Sequence, residues 1–233
     1  YKMAKIYPTI ENIERLKVKP TDGERYLINY LIENLDDDIE IFFQPFLNGD
    51  RPDIVLLQKD IGVTIIEVKD WNLNSYFVDE NNKWHLKSND VIIKSPLEQV
   101  NTYKDNMFNL HINGLLEEKL RNSKFYGRIN TYIYFHISTK DEIDNIFSNL
   151  INPIKSKIDT LNKEFKKNPL DHDNYEKQLD LYNKELKDIN FEKDVYLTKE
   201  LLHKIKLPKN DSLELFKDSI YEEFKRHLQP PIH

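Results

Sequence analysis

Residues 51 to 70 read "RPDIVLLQKDIGVTIIEVKD". Two apolar, β-branched runs, Ile54 to Leu57 and Val63 to Val68, are bounded by Pro52 and joined by the turn-like "QKDIG", which is the pattern of a β-hairpin. Because the runs hardly alternate with polar residues, both faces must be covered, as in a sheet with helices packed on it. Into this apolar hairpin the chain sets Asp53 at the start, and Glu67 and Lys69 at the end. With the turn centred on Asp60, residues whose numbers sum to 120 face each other, so Asp53 stands across from Glu67. Opposed partners have Cβ atoms about 4.5 to 5.5 Å apart, and side chains two apart in a strand share a face, so Lys69 joins Glu67. Carboxylates that close repel unless a positive charge lies between them. A divalent cation is the natural guest, with the Lys69 ammonium beside it.

The 233 residues suffice for a large core without staples, as one domain or one domain with an insertion. The absence of cysteine excludes disulfides and thiolate metal sites and fits a reducing cytoplasm. No apolar run approaches a membrane span, and "YKMAKIYPTI" lacks the form of a signal peptide. The start at Tyr1 and the ending "HLQPPIH" read as a piece of something longer, with a linker into a further region. A net charge of -6 is not the usual footprint of a nucleic-acid binder. An acidic metal site can nevertheless coexist with local basic patches. With five glycines, none of them clustered, there is no phosphate-cradling loop. His85, His111 and His136 are scattered, without the spacing of a histidine metal site.

Upstream of the hairpin, "DGERYLINYLIENL" (22 to 35) has a helical period, with Leu27, Ile28, Leu31, Ile32 and Leu35 on one face. Glu24 lies on the same side as Leu27 and Ile28. It either needs a buried partner or simply complements the dipole of the first turn. "IEIFFQPFL" (39 to 47) is a strand cut off by Pro45, and residues 76 to 94 read as short strands and turns. Ser95, Pro96 and Glu98 combine an N-cap, a first-position proline and a capping box. In the helix they open, Gln99 and Tyr103 sit on adjoining turns of one face. "RINTYIYFHIST" (128 to 139) is a strong strand, with Tyr132, Tyr134 and His136 on one face and Ile133, Phe135 and Ile137 on the other. From 141 to 190 apolar residues recur at helical spacing on both sides of "NPLDHDN", the pattern of an antiparallel helical hairpin, with Pro153 breaking or starting a helix. "DVYLT" (194 to 198) is a last strand, followed by helices at about 199 to 206 and 212 to 228.

Pro52-Asp53 followed by Glu67-Val68-Lys69 resembles the PD-(D/E)XK nuclease superfamily, and Gln99 to Tyr103 matches the QxxxY motif of its RecB-like members. Gly23-Glu24, "RPDIVLL", "IIEVKDW" and "SPLEQVNTY" together resemble more closely the nuclease-related domain, NERD. The likeness covers roughly residues 20 to 140 and resumes weakly near 194. It implies an α/β fold with a restriction-endonuclease-like core: residues 1–140 as core, 141–190 as a helical-hairpin insertion, and 191–233 completing the core before a linker. It also implies a deoxyribonuclease dependent on Mg²⁺ or Mn²⁺. Asp53, Glu67 and the Val68 carbonyl would bind the metal, with Glu24 completing the cluster directly or through water. Lys69 would orient the attacking water, and Gln99 and Tyr103 would steer the DNA backbone or the water. Taken singly, Gln99 is a helix-start polar residue and Tyr103 a core tyrosine. Arg51, Lys94, Lys104 and Arg128 either line a DNA groove or are solvated surface charges. The family's habits suggest an attached helicase module in a bacterial protein acting on foreign or damaged DNA. The other readings are a non-cleaving DNA-binding or docking module, and a helical hairpin that mediates self-association or partner binding.

Overall fold

The computed structural model describes residues 3–47, 49–121, 123–208 and 218–229. At its centre the hairpin forms in the expected register. β3 (Ile54–Gln58) and β4 (Gly62–Lys69) pair Ile54 with Ile66 and Gln58 with Gly62, around a turn in which Asp60 takes φ +67°. Gly62 is required by packing as well as by its φ of +149°, since a Cβ there would lie 2.3 Å from the Arg128 carbonyl oxygen.

The hairpin is the middle of a six-stranded mixed sheet. On one side β2 (Ile39–Phe43) pairs antiparallel with β3, and β1 (Lys5–Tyr7) lies parallel to β2. On the other side β8 (Ile129–Phe135) runs parallel to β4, and β9 (Tyr196–Leu197) parallel to β8. Between β4 and β8 the chain forms a separate three-stranded sheet of β5 (Tyr76–Val78), β6 (Trp84–Leu86) and β7 (Ile92–Ile93), and then α3 (Pro96–Asn106), a π-turn over Met107–His111 and α4 (Leu115–Arg121).

Both faces of the six-stranded sheet are dry, as the unbroken apolar runs require. Phe42, Val55, Leu57, Ile65, Ile133 and Phe135 point to one face. There they meet the helices that follow β4, together with α5 (Lys140–Lys167) and α7 (Asp218–Leu228). Ile41, Phe43, Ile54, Leu56, Ile66 and Tyr134 point to the other face. That face is covered by α1 (Ile10–Glu14), α2 (Asp22–Asn34) and the 3-10 segment Lys199–Lys204.

Three local expectations are corrected. Pro153 neither breaks nor starts a helix but lies within the 28-residue α5. A proline there removes one backbone donor and strains one turn, and the neighbouring Ile146, Phe147, Leu150 and Ile151, all buried in the core on that face of the sheet, hold the helix through it. Ser95 caps α3 by accepting from the Glu98 N–H at 3.1 Å, but the reciprocal bond that would complete a capping box is not formed. The true box opens α2, where Thr21 and Glu24 bond each other's backbone. The segment after β9 is a 3-10 turn. The helix expected over 212 to 228 is seen from Asp218, and residues 212–217 and the expected linker after 229 lie outside the described residues.

The region expected as a helical-hairpin insertion contains two long helices, α5 and α6 (His172–Lys193). Their tips register through the Tyr175 hydroxyl, which donates to Asn162 at 2.7 Å, and through the Phe165 and Tyr175 rings stacked 4.0 Å apart. The pair is not set apart from the sheet at its base. The first half of α5 is core, whereas α6 has no fully buried residue.

Candidate active site

The loop from β2 re-enters the sheet at Asp53, directly across from Glu67. The Asp53 N–H donates to Glu67 Oε1 at 3.0 Å, and the Val68 N–H donates to Asp53 Oδ2 at 2.8 Å. Glu67 is almost wholly buried, at 3% exposure. Burial first, and then the charge of Asp53, push its carboxyl up to about 8. Burial also raises Asp53, with Glu24 adding to the effect. The pair therefore holds a proton at neutral pH in the absence of a cation.

Lys69 shares the Glu67 face. Its Nζ donates to Gln99 Oε1 at 2.7 Å and lies 5.3 Å from the centre of the Trp71 ring. The Gln99 amide in turn donates to the Tyr103 hydroxyl at 3.4 Å. Burial raises the Tyr103 phenol above its ordinary range, and the nearby Glu67, Asp53 and Asp50 charges add to this. Tyr103 is thus a donor, not a base. The chain Tyr103–Gln99–Lys69 aligns the ammonium with the carboxylate pair, because Ser95 and Pro96 start α3 one turn below Gln99.

Glu24 comes from the opposite face. Gly23 lets the start of α2 close onto the end of β4. A Cβ at Gly23 would stand 2.9 Å from His136 Cβ and 3.0 Å from Val68 Cγ1. The Glu24 oxygens are taken by the Thr21 N–H at 3.2 Å and by the Gln44 amide at 2.9 Å. Both readings of Glu24 thus hold in part: it caps the helix and its charge reaches Asp53. Among the described residues no group of three or more His, Cys, Asp or Glu side chains forms a metal site. Two carboxylates remain, and Val68 offers a third oxygen. The register sets Pro52 opposite Val68, and proline has no N–H to give to the Val68 carbonyl. Two carboxylates and a carbonyl fit Mg²⁺, which keeps much of its water shell and takes few protein ligands.

The basic candidates divide. Arg51 is exposed beside Asp53 in a shared cleft. Lys94 is exposed and donates to Thr102 at 3.4 Å. Lys104 lies 3.6 Å above the Tyr126 ring, and burial pushes its ammonium down to about 8, so it is half-committed to packing. Arg128 is buried next to Gly62. That is the far end of β4, roughly 20 Å from Lys69 at about 3.3 Å per residue, so Arg128 is no part of this site.

Asp50 and Asn106 carry no signal in the sequence, and His111 stands there only as a scattered histidine. Asp50 Oδ2 accepts from the Asn106 amide at 2.8 Å and contacts His111 Nε2 at 2.7 Å, which ties the Asp53 loop to the end of α3. Only the π-turn brings His111 round to Asp50, and no spacing in the sequence announces it.

No described helix is long and apolar enough to cross a membrane. A protein-family model described as the nuclease-related domain matches residues 19–136, just over half of the 233 residues. Neither a curated protein nor a solved structure matches the chain.

Proposed function

This chain belongs to the nuclease-related domain family, and on that premise we propose that it is a metal-dependent deoxyribonuclease domain on a PD-(D/E)XK core. The observation that carries the proposal is the facing pair Asp53 and Glu67, with Lys69 held beside it by Gln99. A carboxyl raised to about 8 by burial and then by its neighbour's charge is an arrangement that a cation relieves. Asp53, Glu67 and the Val68 carbonyl would hold Mg²⁺ or Mn²⁺. When bound, the metal activates water and shields the charge of the phosphodiester. Lys69 orients the attacking water and counters charge growing on the phosphorane oxygens. Gln99 fixes the ammonium, and Tyr103, kept protonated, accepts from the Gln99 amide and keeps its own O–H for a substrate oxygen. Glu24 acts on Asp53 from the other face through its charge and through Gln44.

A second reading, a docking module that holds DNA without cutting it, has one observation in its favour. Each carboxylate already accepts a backbone N–H from the opposite strand, so the pair is partly satisfied by itself. Cleavage of a labelled duplex and a labelled single strand in Mg²⁺, Mn²⁺ or EDTA, with Glu67→Ala beside the wild type, separates the two. The nuclease reading expects cutting that needs metal and vanishes in the variant. DNA bound but uncut under every metal establishes the docking module instead.

The wider setting follows from the resemblance. We place the domain in the cytoplasm, beside a helicase module, in a protein acting on foreign or damaged DNA. The α5/α6 arm, with Leu181 and Phe191 exposed, is the surface for a partner or for a second copy.

A further inference from the structure

The loop between β2 and β3 does more than deliver Asp53. Gln44 leaves β2 with φ +46°, Pro45 is buried, and Phe46 is turned into solvent at 68% exposure. A cleft of about 490 Å³ opens beside Asp53 between Lys17 and Arg51. A second, of about 430 Å³, continues past Phe46 to Arg226. Leu16, Gln44 and Arg51 line both, so one trough runs from Asp53 to the end of α7.

The charges in this trough are unusual for the molecule. Carboxylates outnumber cations 40 to 34, yet Lys17 and Arg51 make no ion pair with any described residue. Arg226 is held by Glu223 through Nε and Nη2, which leaves Nη1. A large exposed aromatic ring beside unpaired cations is the chemistry of a chain that offers flat rings and phosphates together. Single-stranded nucleic acid has both, and its stacking on aromatic side chains tolerates any sequence. In a duplex the ring faces are hidden between neighbours, and only the phosphates remain for the trough to meet.

We propose that this trough is a subsite for single-stranded DNA, with a base stacked on Phe46 and phosphates on Lys17 and Arg51, leading the strand to Asp53 and Glu67. Lys17 and Arg226 lie outside the family-matched segment 19–136, so the trough extends beyond that segment. The proposal rests on the nuclease reading of the site and deepens it by naming the form of the substrate.

The test is fluorescence anisotropy of the full chain with a labelled oligothymidine and with a labelled duplex, in EDTA so that nothing is cut. Phe46→Ala, whose side chain is mostly in solvent, is expected to weaken single-strand binding about 5- to 100-fold and to leave duplex binding unchanged. Arg51→Gln is expected to reduce the salt dependence of single-strand binding by about one phosphate contact. Equal affinity of wild type and Phe46→Ala for the oligothymidine overturns the proposal, as does an equal loss on both DNAs. The wild type's cleavage in Mg²⁺ separates the two claims. Cutting with no Phe46 effect defeats the trough alone, and a Phe46-dependent single-strand complex that is never cut defeats the nuclease reading alone.

Discussion

Two carboxyl groups facing one another at the end of a buried hairpin keep a proton between them, and that proton sets the pH behaviour of the metal-free protein. The Glu67 carboxyl is raised from 4.5 to about 8 by burial and by Asp53. The folded state therefore binds more protons than the unfolded chain inside that window, and stability falls as pH rises through it. Urea unfolding in EDTA should show a loss on the order of 2 kcal/mol from the acid to the alkaline side, with screening allowed for. Glu67→Gln should flatten the slope, and an equal slope in the variant would assign it elsewhere. Asp53→Ala should lose metal affinity by calorimetry and gain stability without metal, because a repelled buried charge is gone. Lys69 touches Gln99 and not the carboxylates directly. Lys69→Ala should thus fold and bind metal normally while cleavage drops about 10²- to 10⁴-fold; cutting at the wild-type rate would remove Lys69 from the mechanism.

At the scale of elements, two glycines set how closely the pieces of the sheet's surroundings approach. Gly23→Ala would drive a methyl into His136 Cβ at 2.9 Å and Val68 Cγ1 at 3.0 Å. The start of α2 should lift from β4, taking Glu24 with it, at a cost of about 1 to 3 kcal/mol measured by thermal unfolding. Gly62→Ala meets a backbone carbonyl oxygen at 2.3 Å and also a strained φ, so it should cost more. The reverse order would mean that α2 is held against β4 too tightly to lift. The local elements were largely legible in the chain. The hairpin register followed from a single turn residue, and Asp53, Glu67 and Lys69 fell on one face by strand periodicity alone. Glu24 was only half legible. Its helical face could be read and its capping box with Thr21 is a local Thr-x-x-Glu pattern, but the bond from Gln44 depends on a loop with φ +46° that no periodicity encodes. Pro153 misled because local propensity was outweighed by burial of the turns around it.

For the whole molecule, the long helical pair is two things joined end to end. Its base is core, with Phe147 at 1% exposure against Tyr196, and its tip packs helix on helix with no fully buried residue. Replacing residues 158–182 by a short Gly/Ser turn should leave thermal stability within a few degrees, since no fully buried residue is lost. Phe147→Ala should cost about 3 to 5 kcal/mol. If the shortened protein unfolds, the arm is part of the core. If it stays folded but its mass by light scattering halves, the arm is the contact between copies. Strand periodicity, β-branched runs and helix-start residues already sufficed to determine an α/β chain with a doubly covered hairpin carrying two acids and a lysine, because those signals act within a few residues of one another. Contacts remote in sequence were decided only by folding: Lys69 tied to Gln99, Asp50 clasped by Asn106 and His111, Arg128 sent to the far end of the sheet, and the trough from Lys17 past Arg51 to Arg226. They depend on which elements share a face and on how far each loop carries the chain, and neither distance is written in any local pattern.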